Sequence, residues 1–300
     1  MLCSSGVFSL LSPLPIIHAG IKHGKIKAYI IALITFGVSF YLSLGQTTGI
    51  AFSAVLGTAL VIGLVCLEII QRSLPPMKSM VITGLVLIGI FFSAAFGYLS
   101  SVDKTSMEFF TEKVVENEDL LVTKIALIYE KNSIESKTFI QKVKNEPESF
   151  AKDIIPMIPK VLIVLIFLSL WMNLCLGFKT RFLEESKMAN IASLIHVKVP
   201  DHFVWGFIAG LAGMVFGDYL NSTVYEFGSY LLTILSVFYF FQGFGVYVSF
   251  LDNLKIQGFF RSLLVVSTVY LAFQILIIIG FSDLFVNYRR FFKNNPEGEL

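Results

Sequence analysis

Residues 50–70 read IAFSAVLGTALVIGLVCLEII. The one charge in this stretch is Glu68, near its end, and no proline interrupts it. A helix of ~20 apolar residues rises 1.5 Å per residue and matches a hydrocarbon layer of ~30 Å, so the stretch predicts a membrane-spanning helix. Upstream, the polar turn Gly45-Gln46-Thr47-Thr48-Gly49 joins it to a second apolar run, 28–44. Two spans linked by so short a turn must be antiparallel neighbours. Downstream, Arg72, Pro75-Pro76 and Lys78 end the segment, and a further span is expected over 80–99. Near the start, 5–19 is short and carries Pro13 and Pro15. Proline removes a backbone donor, so a broken or re-entrant helix is expected there, separated from the next span by a basic loop, 21–27.

The composition agrees with this reading. Of 300 residues 55% are hydrophobic and 15% charged, with a mean hydropathy of +0.77, whereas soluble domains carry ~25% charged residues. The 23 Lys+Arg and 21 Asp+Glu give a net charge of +2 and fall mostly between the apolar runs. Nucleic-acid binding calls for a basic face interleaved with aromatics. Here the aromatics, 30 of them Phe, sit inside the apolar runs, so that class is excluded. Cys3, Cys66 and Cys175 lie in or beside spans and show no metal-ligand spacing, which reads as small apolar filler.

The region 100–153 changes character. It holds eight lysines against eleven acidic residues, 8 − 11 = −3, with apolar residues at helical spacing such as Phe110 and Val114, then Leu121 and Ile125. Two or three amphipathic helices are expected, with Pro147 at a first helical turn. Further apolar segments follow at 154–178, 203–216, 227–251 and 263–286, the third preceded by an acidic linker from Asp218 to Glu226. The expected fold is thus an all-α polytopic membrane bundle of about eight segments with a helical extramembrane insertion. It is organised as a first group of four segments over 1–99, the insertion over 100–153, a second group of four over 154–286 and a basic interfacial tail over 287–300. Lysine and arginine bias places the loops after the first, third, fifth and seventh segments in the cytoplasm and the insertion outside. The tail, with Arg289, Arg290 and Lys293, runs against that pattern unless it lies along the interface.

Small residues four apart let membrane helices approach backbone to backbone. Gly49, Ser53 and Gly57 share one such face, and Ala209, Gly213 and Gly217, with Gly206 and Gly210 beside them, another. Internal packing is the first expectation for both, and docking of a partner membrane protein the second. Ionisable groups inside a span are costly and mark a cavity or a partner. Glu68 precedes Arg72 by one turn, which suits a structural ion pair. His18, beside the proline break, and Gln242 and Gln274, inside spans, are the candidate cavity residues. Asp218 and Asp283, near span ends, are expected to be solvated. No HExxH, GxSxG or Walker lysine loop occurs, and the histidines at 18, 23, 196 and 202 are scattered. The sequence therefore points to no catalytic residues, metal or cofactor, and to no enzyme.

Several stretches resemble the YybS-like family of bacterial membrane proteins, a domain of unknown function. They are Pro13-Leu14-Pro15 followed by His23-Gly24, Ile155-Pro156 with Trp171-Met172-Asn173, Pro200-Asp201-His202-Phe203-Val204-Trp205, Phe241-Gln242-Gly243-Phe244, and Gly280-Phe281-Ser282-Asp283 leading to Tyr288-Arg289-Arg290. That family is distantly similar to the S components of energy-coupling-factor transporters, membrane subunits that dock a shared partner through small-residue helix faces. The resemblance implies a multi-pass protein of the bacterial cytoplasmic (inner) membrane, with the Gly49-Ser53-Gly57 face as a docking surface. The chain departs from the S-component pattern in its larger number of segments, its insertion and its lack of a vitamin-binding signature. Two functions follow as expectations. One is a transporter-like subunit binding a small solute in the bundle; the other is a non-transporting scaffold or assembly factor acting through the insertion and the glycine faces. The partners would be the lipid bilayer and possible companions of the same membrane, either another membrane protein or a small solute.

Overall fold

A computed structural model describes residues 10–44, 49–102, 105–128, 134–185 and 198–293. The opening of the first segment, the turn at 45–48, the loop at 186–197 and the end of the tail lie outside the described residues. Every regular element among the described residues is a helix. In chain order they are α1 (Leu14–His23), α2 (Lys25–Ser43), α3 (Gly49–Gln71), α4 (Pro76–Val102), α5 (Ser106–Glu116), α6 (Glu118–Ile128) and α7 (Ile134–Asn145). They continue with α8 (Pro147–Ile154), α9 (Met157–Glu185), α10 (Phe203–Leu220), α11 (Ser222–Asn253), α12 (Gly258–Leu271), α13 (Phe273–Val286) and α14 (Tyr288–Lys293).

Among the described residues four helical stretches are long and apolar enough to cross a membrane: Lys25–Leu42, Met77–Ser101, Pro147–Lys179 and Thr223–Asn253. A fifth arises only if α12 and α13 are counted as one span, although they are bent by 94°. Val55–Gln71 and Phe203–Gly217 are shorter apolar helices. Four or five segments among the described residues thus meet the length of a span, which does not match the expected eight one for one.

The breaks between helices also differ from the expected ones. The basic stretch 21–27 is helical rather than a loop, interrupted only at Gly24, whose φ of +89° a side chain would resist. The acidic linker from Asp218 to Glu226 is likewise helical on both sides of Asn221. Asn221 takes an extended conformation and caps α11, its Oδ1 accepting the Thr223 N–H at 3.1 Å. The expected single span 263–286 breaks at Ala272, which sits outside the helical region at φ −134°.

The chain divides into two units. One comprises Met1–Leu85 with Val164–Leu300, the other Val86–Ile163. In the second unit Val114, Val143 and Phe150 form a small core joined by Leu121, Val122, Ile125, Phe139 and Ile154. Four short helices, α5 to α8, build it, rather than two or three. Thr105 and Glu108 form a capping box at the start of α5, and Pro147 opens α8. In the first unit α1, α2 and α3 pack around Ile16, Ala28, Ala32, Leu60 and Leu67.

Candidate functional site

Helix α11 is the spine of the first unit, and different faces of it meet different neighbours. Its first half runs antiparallel to α10, and glycines set how close the two come. A Cβ on Gly213 would stand 3.2 Å from Gly228 Cα and 3.3 Å from the Val224 carbonyl, and one on Gly217 would stand 2.5 Å from the Tyr225 nitrogen. Gly206 and Gly210 face Leu235 and Leu232 of the same neighbour. The glycines of this predicted face are thus consumed by internal packing, while Ala209, four residues before Gly213, is exposed. On α3, Gly57 meets the ring of Phe36 from α2, at 2.9 Å for an added Cβ. Gly49 and Ser53 lie on the same helix, but their surroundings are outside what the structure describes.

The second half of α11 crosses α13 more tightly still. A Cβ on Gly243 would overlap the Leu276 carbonyl, and one on Gly280 the Tyr239 carbonyl, with Gly243 N 2.7 Å away. Around this crossing Tyr239 packs edge-on against Phe207 and Phe281, and Trp171 of α9 stacks on Phe241. Tyr239 is fully buried, and its hydroxyl has no hydrogen-bond partner among the described residues.

Beside the crossing lies a polar knot. Gln242 is fully buried and Asp283 is 4% exposed. Gln242 Nε2 donates to Asp283 Oδ2 at 3.0 Å, while its Oε1 accepts the Val199 N–H at 2.9 Å. Asp283 Oδ1 accepts the Tyr288 N–H at 2.8 Å, and Arg289 stands 4.0 Å from Oδ2 while donating to the Gln242 carbonyl at 3.1 Å. Asp283 is thus not solvated as expected. Asn287, in the left-handed region at φ 50°, turns the chain so that α14 folds back over the carboxylate. Burial lowers the pKa of the Arg289 guanidinium, and the neighbouring Asp283 carboxylate opposes that effect. A buried charge needs a partner, and Asp283 and Arg289 supply it to one another, with Gln242 and the Tyr288 N–H hydrogen-bonding the carboxylate.

A cavity of about 480 Å³ occupies another part of the first unit. Val164 and Leu168 of α9 and Met214 of α10 form one part of its wall, and Val269, Phe273 and Ile277, from both sides of the Ala272 break, another. Helix α11 contributes Leu232, Val237, Phe240 and Phe241 together with the hydroxyl residues Ser229, Thr233 and Ser236. The three cavity candidates read from the sequence are not among these residues. His18 is exposed on α1, Gln274 is exposed just past the break, and Gln242 is held in the polar knot. The hydroxyl row was missed because Ser and Thr at helical spacing in an apolar run look like ordinary back-bonding residues, and Thr233 does donate to the Ser229 carbonyl at 2.9 Å. Elsewhere, Arg72 Nε donates to Glu68 one turn earlier on α3, forming an ion pair at a partly exposed position. Among the described residues no three of His, Cys, Asp and Glu come together as a metal site.

Long apolar helices, backbone contact through glycine and one charge-compensated polar knot define a helical membrane protein. The chain belongs to the family described as "Predicted membrane protein (DUF2232)", whose profile matches residues 4–284. Neither the curated proteins nor the solved structures yield a match.

Proposed function

We propose that this protein is a transporter-like membrane subunit that binds a small solute inside the bundle of its first unit. The observation that carries the reading is the cavity of about 480 Å³ bounded by α9, α10, α11 and the broken pair α12–α13. Its size falls within the ~300–1,000 Å³ of small-molecule sites. A broken helix beside the substrate site is also a recurrent feature of membrane transporters. The S-component likeness and a bacterial cytoplasmic membrane location belong with this proposal. The docking face it implies on α3 finds an internal neighbour for Gly57 in Phe36, so a partner would have to engage another surface.

The alternative, a scaffold acting through its helical insertion, draws support from the separate core of α5 to α8. Native mass spectrometry of the protein extracted gently from its own membrane tests the choice. A retained small solute, or an ATPase-coupled membrane partner, is the expected result. A bare chain, or a complex with proteins unconnected to transport, would refute the transporter reading and favour the scaffold.

A further inference from the structure

Resting on the binding role proposed above, we infer the chemistry of the ligand: the cavity takes a neutral, mainly hydrocarbon molecule with a single hydrogen-bonding group, drawn from the lipid phase. The argument starts from the wall. Ten of the thirteen lining residues are hydrocarbon, aromatic or thioether, the other three are hydroxyls, and no ionisable residue is among them. Among the described residues, the buried Asp283 and the half-buried Arg289 are engaged with each other and with Gln242. A charged solute would therefore lose its hydration and gain no counter-charge, a penalty that excludes it. Thr233 already donates to the Ser229 carbonyl at 2.9 Å, but a purely apolar ligand would leave the hydroxyls of Ser229 and Ser236 and the acceptor side of Thr233 unused. At 1.5 Å per residue these three positions run ~10 Å along one face of α11, enough to meet a single hydroxyl or carbonyl anywhere along a chain-like molecule. Phe240, Phe241 and Phe273 add flat surfaces suited to hydrocarbon.

The route of entry follows from α12. No residue of this helix is buried, and Phe259, Phe260, Tyr270 and Leu271 are all at least 70% exposed, an apolar surface that hydrocarbon would cover. Three polar contacts among the described residues tie it to α11: Tyr247 Oη donates to the Leu264 carbonyl at 3.3 Å, Thr268 Oγ1 donates to Tyr247 Oη at 2.9 Å, and Arg261 pairs with Asp252 at 2.6 Å. The ion pair sits near the start of α12 and the Tyr247 contacts toward its Ala272 end, so parting the Tyr247 contacts lets that end swing outward and opens the wall at Val269 toward lipid.

The test is photolabelling of the full chain in phosphatidylcholine nanodiscs, with a diazirine-bearing fatty alcohol in one arm and the zwitterion photo-leucine in the other. The alcohol should label peptides carrying Thr233 and Phe273 and be displaced by excess unlabelled alcohol. Ser236→Phe or Val269→Phe, which fill the cavity, should reduce that labelling at least tenfold. The competition arm needs no variant, so it decides the matter even if both variants fail to fold. Alcohol labelling confined to exposed α2 residues such as Leu33 and Tyr41, with no competition, would overturn the inference. Labelling of the cavity by photo-leucine but not by the alcohol would overturn the ligand class and leave the binding role standing. Labelling of the cavity by neither would remove both.

Discussion

Replacing Gly280 by alanine adds one methyl group at the crossing of α11 and α13, and the structure fixes what it meets. The new carbon would overlap the Tyr239 carbonyl and stand 2.7 Å from Gly243 N and 2.8 Å from Tyr239 C. All three are backbone atoms inside a helix, so no rotamer change relieves the overlap and the helices must separate. Overpacking of this kind costs ~1–3 kcal/mol where side chains can adjust, and rigid backbone places this site at the upper end. Separation also stretches the 3.0 Å hydrogen bond from Gln242 to Asp283, since these residues adjoin the same crossing. Losing a buried hydrogen bond to a charged group adds ~1.5–3 kcal/mol. The expected destabilisation is then ~4.5 kcal/mol, from ~3 for overpacking plus ~1.5 at the low end of the hydrogen-bond range. Gly37→Ala is the control, because a Cβ there meets nothing within 4 Å. By propensity it should raise stability by up to ~1 kcal/mol. Reversible denaturation of the purified protein in mixed micelles measures both. A Gly280→Ala protein within about 0.5 kcal/mol of the parent, a change typical of neutral surface substitutions, would refute the close-contact reasoning.

Gly213→Leu should disrupt the α10–α11 contact and lower both folded yield and thermal midpoint, whereas Ala209→Leu, on an exposed side of α10, should leave the midpoint unchanged. Asp283→Asn leaves the half-buried Arg289 without its counter-charge and should destabilise the protein in the same denaturation assay by less than the ~3–5 kcal/mol of a fully buried pair, part of it recovered by adding Arg289→Gln. Tyr239→Phe removes a buried hydroxyl that has no partner among the described residues, so the midpoint should rise, by the equivalent of ~1 kcal/mol. Cysteine labelling from outside intact cells should modify a probe at Glu118 but not one at Lys25; the reverse would overturn the orientation drawn from lysine and arginine bias.

What could be read from the sequence was whatever a single segment determines. The stretch 50–70 and its neighbours announce helices because unbroken apolar runs leave no other way to satisfy the backbone in lipid. The spacing of Phe110, Val114, Leu121 and Ile125 likewise announces amphipathic helices, and Val114, Leu121 and Ile125 do pack together in the second unit. The features that were missed belong to pairs of segments. Gly243 and Gly280 lie on different helices, so no four-residue repeat marks their contact. The Ala272 break carries no proline or glycine, and nothing in 263–286 sets it apart from a continuous span. Asp283 looked like an end-of-span carboxylate because its burial depends on Asn287 turning α14 back over it and on Gln242, forty-one positions earlier.

The arrangement around α11 has a consequence for any functional test. The glycines that hold α10 and α13 in place, at 228 and 243, and the knot at Gln242 carry close contacts and buried hydrogen bonds, so changing them should shift stability. The hydroxyl row at 229, 233 and 236 lines open space instead. Replacing Ser236 by alanine removes one polar atom from a cavity wall without creating a new void in the packing, and surface-like changes of this kind fall within about ±0.5 kcal/mol. Stability and ligand binding should therefore separate by residue along one helix. Weaker probe labelling in Ser236→Ala at an unchanged midpoint, set against loss of the midpoint in Gly280→Ala, is the pattern expected if the cavity is a binding site. If the two readouts fall together in every variant, the cavity is part of the packing and the binding role fails.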